Sequence, residues 1–381
     1  MFRYLVAAVC LIAAYYSALF ARAACLFQQD TAASVSRALE LVPYNADYAA
    51  RLAAWKPDQQ RELLTRAVEL NPFEFRAWIQ LGLIAELEQA DPATAERDYL
   101  RAAEVNKMFL PKWTLANFYL RQGREAEFFH WAKLTLDITP HAPSPVFREM
   151  WLAAQDAAKI ASYIPDRSTI LIQYALFLSG AGRFNAIPPI IARLVTHPGG
   201  RTPEELGRDD LIGPIEDQLL SVGDVRDALQ IWRSLSDARW IHLSVPAPSH
   251  PLTNGDFRSP FYGHGFDWVP ASCPGASVNQ DSAAGILRIE LSGTEPEHCT
   301  LLTQRIPVVP GQLYHLQWRG AASGLLWKIN SLQKELGNGG ILEFRTPQHT
   351  DLLTVALEYA RPPGSILTSG SFELRSVSIV E

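Results

Sequence analysis

Cysteine is scarce in this sequence, four in 381 residues, too few to build a disulfide scaffold. A basic excess is missing too. The chain carries 34 Lys and Arg against 40 Asp and Glu, a formal charge of −6, and a surface without net positive charge is a poor partner for nucleic-acid phosphates. There is no G-x-S-x-G, H-E-x-x-H, Walker loop or G-x-G-x-x-G. The nine histidines are scattered, and no two have metal-ligand spacing on one helix. What the chain does have is apolar: 48% of residues, against 19% charged, which argues against disorder and against a coiled-coil rod. At about 150 residues per domain the length predicts two or three domains.

The first long feature is an uncharged run, Tyr4 to Ala21, behind Arg3. Eighteen residues at 1.5 Å rise give roughly 27 Å, close to a bilayer core. Ala21-Arg22-Ala23 also fits the small-x-small pattern of a leader-peptidase site. Residues 1–24 are therefore expected to be a cleaved signal peptide or a retained membrane anchor, and both place the rest of the chain in an extracytoplasmic compartment, periplasmic or at the cell envelope. In an oxidising compartment Cys273 and Cys299 can pair, which in the chain-entropy picture is worth about 3 kcal/mol. Cys10 lies in the apolar run and Cys25 just beyond it.

Composition changes along the chain. Only 9 of the 23 glycines precede residue 250, and residues 28–240 are rich in Ala, Leu, Glu and Arg. Pro246, Pro248 and Pro251 stop any helix. This divides the chain into a helical domain over 25–240, a linker over 241–251 and a second domain over 252–381. Within the helical part a period near 34 emerges: Trp78 and Trp113, like Ala67 and Ala102, are 35 apart, and Pro72 and Pro140 are 68 apart. Ala77-Trp78-Ile79-Gln80-Leu81-Gly82, followed by Ala95, Tyr99, Ala102 and Ala103, resembles the tetratricopeptide repeat. The next unit has Asn117 where the small glycine is usual. Tyr174–Phe184 and Gln218–Trp232 each read as helix, tight turn, helix. The resemblance implies an α-solenoid in which small residues let helices approach and large ones fill the gaps, with a surface that binds peptide or protein.

After Pro251 the rhythm becomes two. Leu287, Ile289 and Leu291 alternate with Arg288 and Glu290, Tyr314, Leu316 and Trp318 with His315 and Gln317, and Leu325, Trp327 and Ile329 with Lys328, with Leu353, Val355 and Leu357 following. Short alternating runs bounded by Pro310-Gly311, Gly320, Gly339-Gly340 and Pro362-Pro363-Gly364 predict a β-sandwich. The phase slip between Leu374 and Val377 predicts a bulge near Arg375-Ser376. Leu252-Thr253-Asn254-Gly255-Asp256-Phe257, Ile306 through Tyr314, and Ser371 through Ile379 resemble the opening, central and closing strands of galactose-binding-like jelly rolls, which include carbohydrate-binding modules. Those modules often hold structural calcium, for which Asp256 and Glu373 are the available oxygen ligands. Ser376, where an aspartate is usual, weakens that site.

Sugar recognition needs an aromatic face beside planar polar groups. Tyr262, His264, Asp267 and Trp268, in the loop 261–270, are the candidates, with Trp327 and Lys328 outside it; core packing is the competing role for Trp268. No catalytic residue stands out, although Glu295, Glu297 and Glu343 could supply the two acids of a glycosidase. The reading is a multidomain chain, α then β, without catalytic function or cofactor. Its solenoid would bind protein, its jelly roll would bind polysaccharide, and it would meet a membrane if the leader stays. The layout resembles bacterial helical-repeat proteins of polysaccharide synthesis and export. Alternatives are a purely structural envelope scaffold and a glycan-acting enzyme.

Overall fold

The computed structural model describes residues 2–138, 143–196, 211–361, 364 and 369–381. Among them helices come first and antiparallel strands follow. The chain packs as two compact units, Met1–Pro165 and Asp166–Glu381. This division does not coincide with the proline-rich joint at 241–251, because the last helices pack against residues 262–266, ahead of the strands.

The first unit is a series of antiparallel helix pairs: α1 (Phe2–Gln28) with α2 (Ala32–Leu41), α3 (Ala46–Trp55) with α4 (Gln60–Leu70), α5 (Phe75–Leu87) with α6 (Pro92–Val105), and α7 (Phe109–Arg121) with α8 (Glu125–Leu136), then α9 (Ser144–Ala154) and α10 (Ala157–Tyr163). Capping residues set the helix starts. Thr31 and Ser34 close a reciprocal box at the start of α2, and Asp91 accepts from the Thr94 amide ahead of Pro92. Small residues meet large ones where the period predicts. Gly82 faces the buried ring of Tyr99, and a Cβ there would lie 2.6 Å from Tyr99 Cε1. Asn117, in the corresponding place one pair later, donates its side-chain amide to the Trp113 carbonyl at 2.8 Å. Pro140 lies outside the described residues.

Polar bonds also tie neighbouring pairs. Arg121 grips Glu86 through two bonds of 2.8 and 2.9 Å, and the Tyr99 hydroxyl donates to the same carboxylate at 2.9 Å. Burial pushes Glu86 up, but the guanidinium fork and the phenol outweigh it and hold the carboxyl below its ordinary range.

The second unit opens with α11 (Ser168–Gly180), α12 (Ile187–Thr196), α13 (Gly213–Ser221) and α14 (Val225–Asp237). Gly182 and Gly223 sit at positive φ in the tight turns that the sequence marks, and Pro188-Pro189 lies in the first turn of α12. Nine strands follow: β1 (Val269–Pro270), β2 (Ala276–Asp281), β3 (Ile286–Ser292), β4 (His298–Pro307), β5 (Leu313–Ile329), β6 (Leu332–Gly337), β7 (Gly340–Arg345), β8 (Leu352–Ala360) and β9 (Ser369–Val380). They form two antiparallel layers, β1-β4-β8-β5-β6 and β2-β3-β9-β5-β7.

Gly320 was expected to end a strand. Instead β5 runs through it and serves both layers, pairing β9 up to Ala321 and β8 from Leu325. A side chain at Gly320 would press on the Glu373 carbonyl at 2.6 Å, and Gly324 takes φ +77 where the strand crosses between layers. The expected bulge is present, since Arg319 pairs Ser376 and Gly320 pairs Leu374, leaving Arg375 unpaired. Three buried indoles, Trp268, Trp327 and Trp318, run through the core with ring centres 6.1 and 6.4 Å apart. Cys273 and Cys299 are joined in a disulfide.

Alanine is a better helix former than glycine by about 1 kcal/mol, yet Gly82→Ala is expected to destabilise. Forcing a methyl against the enclosed Tyr99 ring costs roughly 1–3 kcal/mol. Thermal melts should show a lower midpoint for Gly82→Ala and recovery in the double variant with Tyr99→Leu.

Candidate functional site

The loop expected to hold sugar is held by helices instead. Trp268 and Asp267 are fully buried. The Trp268 indole donates to the Asn254 carbonyl at 3.2 Å, and Asp267 accepts the Tyr262 amide at 2.6 Å. The expectation of an exposed platform is therefore corrected: these side chains brace the loop, and a buried indole offers no face to a sugar. Tyr262 and Phe266 set their edges against Trp232 of α14 at 5.9 and 5.7 Å. His264 Nδ1 lies 2.6 Å from Asp217 of α13, whose other oxygen accepts the Gly265 amide at 3.0 Å and is also gripped by Arg305 of β4. The joint at 241–251 is strapped down as well: Ile241 and Leu243 are buried, and the Trp232 indole donates to the Ser244 carbonyl at 3.0 Å.

Beside this clamp Glu216 is completely buried, and among the described residues neither carboxylate oxygen has a hydrogen-bond partner. Burial, then the neighbouring Asp217 charge, push its carboxyl well above the ordinary range, against a smaller pull from Arg305. Burial likewise pushes Asp267 up to about 6. The alternation of the strands marks none of this, because Trp232 and Asp217 lie from thirty to almost fifty residues upstream of the loop.

The other candidates are placed as follows. The Asp256 carboxylate accepts the Arg258 amide, and Glu373 faces Arg288 and Arg375 at 3.5 and 3.1 Å. Among the described residues no three His, Cys, Asp or Glu side chains gather as a metal site would need. Glu295 is buried and accepts the Ser292 and Gly293 amides, so it pins its own turn. Glu343, 65% exposed, sits 3.6 Å from His315.

Each unit also has concave regions on its surface. In the first unit a groove of about 410 Å³ runs across the ends of α1, α3 and α5. Ala50, Ala54 and Ala77 line it beside Arg51, Arg76, Asp47, Glu74 and Gln80, whose side-chain oxygen is buried without a partner among the described residues. In the second unit a cleft of about 500 Å³ crosses the outer face of β4, β8 and β5. Thr303, Ala356 and Lys328 lie in one row across the three strands, and Thr300 is opposite Glu358 in the next. Lys328 Nζ is 3.1 Å from Glu358 Oε1. Its charged pair and threonine hydroxyls make the cleft a polar array, while Trp327 points the other way into the core. Strand parity alone places these residues outward, but only the strand order brings them together.

No family profile matches the chain, and no curated protein matches it significantly. Among solved structures, PilW, a type IV pilus biogenesis factor, aligns at 16% identity over 48% of this chain and 92% of its own, with TM-score 0.32. YrrB, a TPR protein with an unusual peptide-binding site, aligns at 12% over 55% and 94%, with TM-score 0.25. A CBM4 structure aligns at 14% over 33% and 97%, with TM-score 0.24.

A carboxyl held above its ordinary value keeps a proton that the unfolded chain releases. Its stabilisation is full below the ordinary value and is lost as pH rises through the folded one. For Asp267 that loss falls between 3.8 and about 6. Calorimetry should therefore find these two groups stabilising the second unit as pH falls from 8 to 5. Glu216→Gln should raise the midpoint at pH 8 and change it little at pH 5. An equal shift at both pH values would contradict the buried-proton assignment.

Proposed function

We propose that this is a non-catalytic protein of the cell envelope that joins a protein partner to a polysaccharide. The groove of the first unit takes an extended peptide segment. Its alanine floor leaves room for a backbone, and the flanking charges of both signs select polar sequences. The outer cleft of the sandwich takes glycan hydroxyls on Lys328, Glu358 and the threonines. The observation that carries the reading is that each unit keeps an open polar surface while Asp267 and Trp268 of the loop 261–270 are buried. An extracytoplasmic location is supported by the apolar helix α1 and by the Cys273–Cys299 disulfide. We place the protein in polysaccharide synthesis or export.

A purely structural scaffold is the second reading, favoured by one feature: among the described residues no aromatic ring lines the cleft. A glycan array separates the two. Retention of an acidic or neutral polysaccharide by the full chain, weakened at least about tenfold (1.4 kcal/mol) by Lys328→Met or Thr303→Val with the melting midpoint unchanged, supports glycan binding. No retained polysaccharide would leave the scaffold.

A further inference from the structure

We propose that α1 is retained in the mature protein and serves twice, as a bilayer-spanning anchor and as the outer helix of the first solenoid pair. The helix is continuous from Phe2 to Gln28, but its surroundings change partway. Every residue from Arg3 to Ala18 is exposed, including Leu5, Val9, Leu11 and Ile12. From Leu19 onward one face is covered. Leu19, Ala23, Leu26 and Phe27 recur at helical spacing and pack on the cluster that holds Val35, Ala38, Ala49 and Leu52. Ala23 is completely buried, and the Phe27 ring lies 4.7 Å from Tyr48 of α3. Just past the helix, Asp30 is gripped by Arg51 and accepts the Trp55 indole at 3.3 Å, which locks the end of α1 to α3.

Cleavage after Ala23 would cut inside this packed face. It would leave Ala24–Gln28, too short to persist as a helix, and would uncover the apolar side of α2. The exposed part has the length and markings of a membrane span. The uncharged stretch Tyr4–Ala21 carries Arg3 and Tyr4 at one end and Arg22 at the other, all exposed. These residue types settle at headgroup level. Bilayer lipid is thus the occupant of the uncovered face. Phe27 follows Phe20 by roughly 10 Å of helix, and Phe27 lines the groove. The groove therefore opens close to the membrane surface and receives segments presented there.

The outward orientation rests on the envelope location proposed above; the retention of α1 does not. The native cysteines test both. Cys10 lies in the exposed run and Cys25 beyond it, both as free thiols, while the other two are in the disulfide. The full chain, expressed with its own amino terminus in bacteria, should give an intact mass that includes the leader and should resist carbonate extraction. A membrane-impermeant maleimide should label Cys25 on intact spheroplasts and reach Cys10 only after detergent. A chain beginning at Ala24 in the soluble fraction would overturn the proposal. An intact chain whose Cys25 reacts only after lysis would support the anchor and overturn the envelope location. In detergent, Ala23→Phe should lower the melting midpoint by about 3 °C or more. An unchanged midpoint would mean that α1 does not pack as described.

Discussion

An amphipathic helix pair leaves an apolar face that it cannot cover by itself, and this constraint shapes both units. In the first unit each pair is covered by the next, and the end of α1 covers α2 and α3. In the second, Trp232 of α14 projects from the last pair and is enclosed by Tyr262 and Phe266 of the strand domain. Without that cover the helix would expose a large indole. Without the helix, the loop would lose the surface that orders it. The proline-rich joint is short and strapped down, and the elements on either side pack within one compact unit.

The chemistry of the covering loop follows from its burial. A polar group taken from water must find partners, and most do. Asn254 holds Ser259 through both ends of its amide, Gln304 donates to Thr253 and to the Phe266 carbonyl, and Asp217 gathers His264, Gly265 and Arg305. Among the described residues the Gln304 side-chain oxygen and both Glu216 oxygens find no partner, and the Glu216 carboxyl resolves the problem by keeping its proton. The aromatic and acidic residues that suggest sugar binding from the sequence are thus consumed by internal contacts. The polar surface that stays open lies on the outer face of the sandwich, where Lys328 and Glu358 neutralise each other among threonines.

Much of the architecture was legible in the residues because it depends on local period. Helical spacing with small-against-large pairs marks the solenoid, and Gly82 meets Tyr99 as that pattern requires. Alternation marks the strands, and the phase slip before Val377 marks the bulge. Positive-φ glycines mark the turns at Gly182 and Gly223. Gly320 misled, because a glycine that ends a strand and one that lets a strand bend against a carbonyl look alike until the partner strand is known.

What the sequence by itself determined is the order and type of the elements, the apolar leader and the buried parity of each strand. All of these are set by contacts between residues near in the chain. Tertiary structure alone decided where the chain divides, that Trp268 and Asp267 lie inside, that Lys328 and Glu358 share an open cleft, and that the leader turns into a packed helix at Leu19. Each of those outcomes rests on which distant surface arrives to exclude water, and periodicity within one element carries no record of its neighbour.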